Sequence, residues 1–436
     1  MIEASDAGVR VWILTLSLFL LSMRLRSCVG TATWEMPMID IPTWPRFEED
    51  EIEAVARVLR SGLVNRWTGE DVSLFETAWE RASGCNHAIS MANGTVAIEA
   101  AIRSLDLNVN AEVIVPSRGY VGCASAVVMA AANPVFADVH DMTGCVTPET
   151  LEAARTPRTA AVIVVHVGGW PADMVSICRW AQSHGITVIE DAAQAHGATV
   201  LNGKEQSQWV GTFGEFGCWS FCQDKIISTG GEGGMLAAAN QSLADRVWSI
   251  RDHGKSRLRV ASHVPDSRFA WLVDSIGSNL RMTGMQAAIG LIQLQKLGRW
   301  IQMRARNARI LKDVLSGIKW IEFPEVEFGQ HPAWYRVYAM VRRDVRDVAV
   351  YRDHILDAAS AADLPVGVGS CSEIYLEPGL KARAPSSRLP NARNLGSRCL
   401  CFPCHHLITS ETMGDYAEQL AKVCRVIDGK QAARTC

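Results

Sequence analysis

Ala160-Ala161-Val162-Ile163-Val164-Val165-His166-Val167, the helical stretch Met174–His184, and then Ile186-Thr187-Val188-Ile189-Glu190 together decide the fold class. The first run has no polar alternation, so it reads as a strand buried on both faces. The stretch after it has apolar residues at helical spacing, and a second short apolar strand follows. Strand, helix and strand in this order make a parallel pair with a helical crossover. Upstream the same alternation repeats. His87–Met91, Glu112–Pro116 and Pro134–Val139 read as strands, and Val96–Leu105 and Tyr120–Ala132 read as helices between them. The expected fold is α/β, a mostly parallel sheet between two layers of helices.

Working outward, Phe47–Leu63 reads as a helix with acid in its first turn and Gly62 as its stop. A long helix is expected from about Thr283 to Leu315, with Gly298 as a plausible bend. Tyr335, Val337, Ala339 and Val341 alternate as in a half-buried strand, and Tyr351–Ala362 reads as a helix. These features suggest a large domain over 39–297 and a smaller C-terminal α/β domain over 298–436, with 1–38 an extension outside the fold. Val11–Met23 is nearly all apolar. It is shorter than the roughly 20 residues that cross a bilayer as a helix. Glu3 and Asp6 precede it and Arg24 and Arg26 follow it, which is poor targeting grammar. The favoured reading is a start of translation at Met36 or Met38, ahead of an interfacial anchor, and the expected setting is cytoplasmic.

The 436 residues are 48% apolar and 20% charged, which is a globular composition. Lys+Arg is 43 against Asp+Glu 46, a formal charge of -3, so the footprint of a nucleic-acid binder is missing. The 13 cysteines are scattered, as in a reducing compartment. Cys399, Cys401, Cys404, His405 and His406 cluster, but no second ligand pair stands at zinc-site spacing, and no metal is expected.

Ligands of open α/β sheets bind beyond the carboxyl ends of the strands. After His87–Met91 comes Asn93-Gly94-Thr95 at a helix start. It is either a phosphate cup or an ordinary capped turn. After Ile189 comes Glu190-Asp191-Ala192-Ala193-Gln194, where Asp191 can hold a protonated nitrogen or cap a helix. Ser220-Phe221-Cys222-Gln223-Asp224-Lys225 leads through Ile226 to Thr229 into Gly230-Gly231-Glu232-Gly233-Gly234. A shielded Lys225 can attack a carbonyl, whereas a solvated loop lysine is the bland alternative. The glycines match neither a Walker loop nor a dinucleotide fingerprint. Lysine for an aldehyde, acid for a ring nitrogen and a phosphate cup together suit pyridoxal 5'-phosphate. Tyr120 can then stack on the ring, or else be a core tyrosine.

With these motifs the chain resembles the DegT/StrS-type sugar aminotransferases, from about Ile39 to Val426. Trp67-Thr68-Gly69 with Phe75-Glu76, Val115-Pro116-Ser117, Glu190 to Gly197, Arg281-Met282-Thr283 and Ser372 to Tyr375 carry the resemblance beside the three elements above. It implies the type I fold of PLP-dependent transferases, with a seven-stranded-type sheet. It makes Lys225 the Schiff-base lysine and Asp191 the partner of the pyridine nitrogen. Gln194 falls beside the ring, and Gly94, Thr95, Ser220 and the Val96 amide fall at the phosphate. It further implies a homodimer with the active site at the interface, in which Asn279 or Arg281 reaches the partner's phosphate. A branch with histidine at the lysine position removes a sugar hydroxyl, so Lys225 favours amino transfer. Gly119 departs from the threonine common there.

The implied reaction moves an amino group from glutamate, or glutamine, to a nucleotide-linked keto sugar in amino-sugar, surface-polysaccharide or glycoside biosynthesis. The alternatives are a keto-cyclitol acceptor of the scyllo-inosose type and a non-catalytic PLP-binding regulator. No basic helix-turn-helix precedes Ile39 to support the last. Asn65 to Trp67, His253 to Lys255, Trp334, Tyr335 and Glu373 to Tyr375 are loop candidates for substrate contact, and His196 reads as structural.

Overall fold

The computed structural model describes residues 39–263 and 271–434, and the apolar run Val11–Met23 lies outside them. Two helices, α1 (Glu49–Ser61) and α2 (Asp71–Ser83), precede the first strand. Strands and helices then alternate: β1 (His87–Met91), α3 (Gly94–Ser104), β2 (Glu112–Pro116), α4 (Gly122–Met129), β3 (Asn133–Ala137), α5 (Pro148–Ala154), β4 (Thr159–Val165), α6 (Met174–His184) and β5 (Thr187–Asp191). A small hairpin, β6 (Thr199–Leu201) and β7 (Ser207–Trp209), leads to β8 (Phe216–Ser220) and β9 (Gly234–Ala238). Helices α7 (Gln241–Arg251), α8 (Arg257–Ser262) and α9 (Gly284–Leu315) follow. The chain ends with β10 (Ile321–Glu322), β11 (Val337–Val341), α10 (Val348–Ala361), α11 (Pro390–Arg398), β12 (Cys399–Phe402) and α12 (Ser410–Arg434).

The main sheet has seven strands in the order β1-β9-β8-β5-β4-β2-β3. Every pairing from β8 to β3 is parallel, whereas β9 runs antiparallel to both β8 and β1. All residues of β2 and β9 are buried, as expected for strands covered on both faces. The second sheet, β10-β11-β12, is antiparallel.

Helix α4 is shorter than the expected Tyr120–Ala132. Ala131 takes φ 61°, a left-handed turn that ends the helix and feeds the chain into β3. Helix α9 runs through Gly298 as one element of 32 residues. Thr283 caps it: its hydroxyl accepts the Gln286 N–H, and the Gln286 side chain accepts the Thr283 N–H at 2.8 Å. Strand β11 is buried at Val337, Ala339, Met340 and Val341, more than the half-buried alternation expected, because its two faces meet different apolar clusters: Val337, Ala339 and Val341 one, Met340 and the half-buried Tyr338 the other.

Two apolar clusters organise the packing. The larger fills both faces of the main sheet and takes in Leu297 and Trp300 of α9, together with Ile374, Tyr375 and Leu395. The smaller gathers Ala308, Leu311 and Leu315 of α9 with β11, α10, β12 and α12. One helix therefore enters both cores, and the stretch from Ile374 to Leu395 returns to the first. Among the described residues no helix is long and apolar enough to cross a membrane.

Candidate active site

Successive residues of a strand point to opposite faces, and β5 ends by using both. Glu190 turns into the core. Its carboxylate accepts the N–H groups of Gly211, Phe213 and Gly214 at 2.6, 2.7 and 2.8 Å, and its Oε2 lies 3.2 Å from His166 Nε2. His166 Nδ1 accepts the Ala172 N–H at 3.1 Å, so the ring proton sits on Nε2 and faces Glu190. Glu190 is thus a satisfied structural anion at the strand's end. Asp191 turns the other way and is 8% exposed. Its Oδ1 accepts the Ala193 N–H at 3.0 Å, and its Oδ2 accepts the Cys123 thiol at 2.9 Å. Burial drives the Cys123 thiol well above its ordinary range and the adjacent Asp191 charge adds to this, so Cys123 stays a donor.

Strand β8 lies beside β5, with Cys218 paired to Asp191. The loop after β8 is closed at its base, where the Phe221 N–H donates to Gly233 O at 2.8 Å and the Thr229 N–H to Phe221 O at 3.1 Å. Lys225 sits inside that loop. Its carbonyl accepts Trp44 Nε1 at 2.6 Å, and its side chain is 15% exposed. Lys225 Nζ is 3.1 Å from Asp224 Oδ1 and 5.1 Å from the centre of the Tyr335 ring. Asp224 also accepts the Tyr335 hydroxyl and the Cys222 thiol. Burial opposes its ionisation, but the Lys225 charge and these donors outweigh that and hold the carboxyl at about 2.

The third element is the start of α3. Gly94 backs onto the end of β8 so closely that a Cβ there would lie 2.7 Å from Ser220 Cβ. A Cβ on Gly122 would lie 2.9 Å from Thr95 Oγ1 and 3.0 Å from the Tyr120 ring. Gly94, Thr95, Tyr120 and Ser220 are therefore neighbours, and Tyr120 keeps 70% of its surface exposed. The Cys123 N–H donates to Tyr120 O, so the aromatic ring and the thiol on Asp191 stand one turn apart.

Three expected residues are placed differently from their simplest reading. The Val96 N–H, expected at a phosphate, donates instead to Asn93 Oδ1 at 3.0 Å. That is the N-cap bond, and it leaves the Gly94 and Thr95 N–H groups as the leading donors without intrahelical partners. Gln194 lies in a turn, and its Oε1 accepts the Gly168 N–H at 2.6 Å. Arg281 bonds the buried Asp252 at 2.8 Å, which Lys255 also approaches at 3.4 Å, whereas Asn279 is exposed. The backbone between them borders the cup, since Leu280 O accepts the Ala92 N–H at 2.8 Å.

The loop candidates divide. Tyr335 joins Lys225. Arg66 enters a buried network with Glu76, Arg251 and Ser90. Trp67 lies under Lys255 Nζ at 4.2 Å. Glu373 and Tyr375 bond each other, with Arg388 on the same carboxylate. His196 is fully buried against Trp79 and Phe221; burial, and then the Lys225 charge, push it down to about 3. The cysteine–histidine cluster is spent on packing. Arg118 donates to Cys399 Sγ at 3.1 Å, Cys404 donates to Trp334 O at 2.9 Å, and His406 stacks on Trp300. Among the described residues no group of three potential ligands could hold a metal.

Sequence reasoning missed Cys123, Asp224 and Trp44. Cys123 was findable one helical turn beyond Tyr120, and Asp224 as the neighbour of Lys225. Trp44 carried no local signal.

Chemically, a buried carboxylate, a shielded primary amine and unpaired N–H groups at a helix start complement a protonated ring nitrogen, an aldehyde and a phosphate. That donor set fits pyridoxal 5'-phosphate.

The comparisons agree with this chemistry. A solved aminotransferase from Psychrobacter cryohalolentis superposes with a TM-score of 0.84 at 37% identity, over 89% of this chain and all of that one. The UDP-N-acetyl-3-dehydro-alpha-D-glucosamine 3-aminotransferase of Acidithiobacillus ferrooxidans is 33% identical over 345 residues, 79% of this chain and 84% of the relative. The L-glutamine:2-deoxy-scyllo-inosose aminotransferase of Streptomyces kanamyceticus is 36% identical over 289 residues, 64% of this chain and 65% of the relative. The sequence model of the DegT/DnrJ/EryC1/StrS aminotransferase family matches residues 45–421. The chain belongs to that family and is a PLP-dependent aminotransferase.

Proposed function

We propose that this protein moves an amino group from glutamate to a nucleotide-linked keto sugar, with Lys225 and Asp191 as its catalytic residues. The observation that carries the site assignment is the pairing of β5 with β8. It brings a buried carboxylate and the loop of a shielded amine beyond the carboxyl ends of two neighbouring central strands. The acceptor class is taken from the A. ferrooxidans relative. A cytoplasmic setting is part of the same proposal.

When bound, PLP supplies an aldehyde and an electron-withdrawing ring. Lys225 Nζ is the amine that meets the aldehyde. Asp191 holds a proton on the ring nitrogen, and the Cys123 thiol and Ala193 N–H fix its carboxylate for that task. The N–H groups of Gly94 and Thr95 and the Ser220 hydroxyl bind the phosphate, with the N-terminal dipole of α3 behind them. Tyr120 would cover one face of the ring, and Gln194 would border it. Once free of the aldehyde carbon, the Lys225 amine would take the proton from the donor's α-carbon and deliver it to the carbon that had carried the aldehyde. In a homodimer, Asn279 is the residue free to reach the partner's site, since Arg281 is bound to Asp252.

The test is the visible absorbance of the purified protein. A band that glutamate bleaches supports the reading, and a folded protein with no such band contradicts it. The S. kanamyceticus relative supports a second reading, a keto-cyclitol acceptor. Product analysis with UDP- and dTDP-keto sugars against scyllo-inosose decides between them.

A further inference from the structure

Asp224 and Tyr335 have no part in the scheme above, yet Asp224 Oδ1 lies 3.1 Å from Lys225 Nζ and the Tyr335 ring centre 5.1 Å from it. Tyr335 is held firmly: it is 8% exposed, Arg304 donates to the carbonyls of Trp334 and Tyr335, and the Arg336 guanidinium lies 5.4 Å from its ring centre. Its hydroxyl donates to Asp224 Oδ2. The other oxygen, Oδ1, takes the Cys222 thiol at 3.1 Å and faces Lys225 Nζ at 3.1 Å. The carboxylate is thus pinned from two sides and presents its remaining valence to the amine. It is the near anion that the structure provides for a lysine ammonium.

We propose that Asp224, fixed by Tyr335, is a positioning residue that holds Lys225 as an ammonium whenever Nζ carries a proton, and so divides the labour of that amine between bonding the cofactor and carrying the proton. The proposal rests on Lys225 being the cofactor lysine. It has two consequences of opposite sign. Bonding requires neutral Nζ, which adds to the aldehyde carbon while the aldehyde oxygen leaves as water. An anion that favours the ammonium slows this step at neutral pH. Proton transfer runs the other way: neutral Nζ takes the donor's α-proton and becomes the ammonium, which the same anion stabilises. Asp224 is itself a poor proton acceptor, with its carboxyl held at about 2 by the causes given above, so its contribution is charge and position.

Cys222 and Tyr335 are both raised by burial and by the Asp224 charge and stay neutral. His196 is kept neutral, as described, and Arg336 is a fixed cation.

The experiment uses the full chain freed of cofactor. PLP is added across a pH series, and the link is followed by absorbance and trapped with borohydride, with peptide mass placing it. Loss of deuterium from α-deuterated glutamate is then measured in a single turnover. In Asp224→Asn the rate of linking at neutral pH is expected to rise severalfold, and deuterium loss to slow about tenfold. Tyr335→Phe, which keeps the ring, is expected to show both changes in smaller measure, and it carries the test if Asp224→Asn fails to fold. A merely structural defect would depress both rates together. Both rates falling together, or linking at an unchanged rate, overturns the proposal. The linking arm decides the matter alone if glutamate loses no deuterium. An adduct absent from Lys225 in the unaltered protein overturns instead the reading beneath it.

Discussion

Asp191 and Cys218 face each other across the parallel pair β5 and β8, so the buried carboxylate and the loop carrying Lys225 leave the sheet at the same carboxyl end. The site follows from that register. A slip of one residue would turn Asp191 into the core and bring Glu190 out. The three N–H groups on Glu190 would then lose their acceptor.

Asp191→Asn keeps the shape and removes the charge. Turnover with glutamate is expected to fall by about 10²–10³-fold, the usual size for losing one aimed electrostatic group. Titration of the apo-protein with PLP is expected to show weaker binding. Unchanged turnover would remove Asp191 from the catalytic set.

Gly94→Ala places a Cβ against Ser220 Cβ at 2.7 Å, closer than packed carbons approach. The backbone of the cup must move, at a cost of about 1–3 kcal/mol. Urea unfolding of the apo-protein measures this, and inorganic phosphate is expected to protect the variant less than the unaltered chain.

Trp44→Phe removes the 2.6 Å bond to the Lys225 carbonyl and keeps most of the ring packing against Trp300 and His406. A loss of about 0.5–1.5 kcal/mol is expected in denaturant unfolding. A larger share of the effect is expected in the rate of cofactor release than in the fold, because the bond braces the lysine loop. Equal release rates would place Trp44 in packing alone.

His196 gives the pH dependence. Its folded value is about 3, and an unfolded histidine titrates near 6.5. Between these values the unfolded chain binds a proton that the folded one refuses. Stability is therefore whole above about 6.5 and declines as pH falls toward about 3. His405 and His406, pushed by burial to about 3 and about 2, act in the same direction. His196→Phe, which suits the pocket of Trp79 and Phe221, is expected to shift acid unfolding to lower pH. Circular dichroism across a pH series at fixed urea checks it.

Much of this was legible before the structure, for physical reasons that differ by element. Strands β2 and β4 carry unbroken Val/Ile runs, so their burial on both faces shows in the residues themselves. Strand β9 is Gly-Met-Leu-Ala-Ala, without a β-branched residue, and it is set by pairing with β1 and β8. Asp191 stood out as a carboxylate ending a buried strand, and Lys225 as a lysine in the loop that leads into the glycine run. The Cys123–Asp191 and Tyr335–Asp224 bonds span 68 and 111 residues, and no local pattern encodes them. Val96 is the instructive case. A capped turn and a phosphate contact compete for the same N–H there, and the Asn93 cap holds it.

Borohydride reduction of the purified protein with its cofactor, followed by peptide mass mapping, tests the central assignment most directly. The expected result is one pyridoxyl-phosphate adduct on the peptide containing Lys225, absent in Lys225→Ala. An adduct on another lysine, or none on a folded protein saturated with PLP, would contradict it.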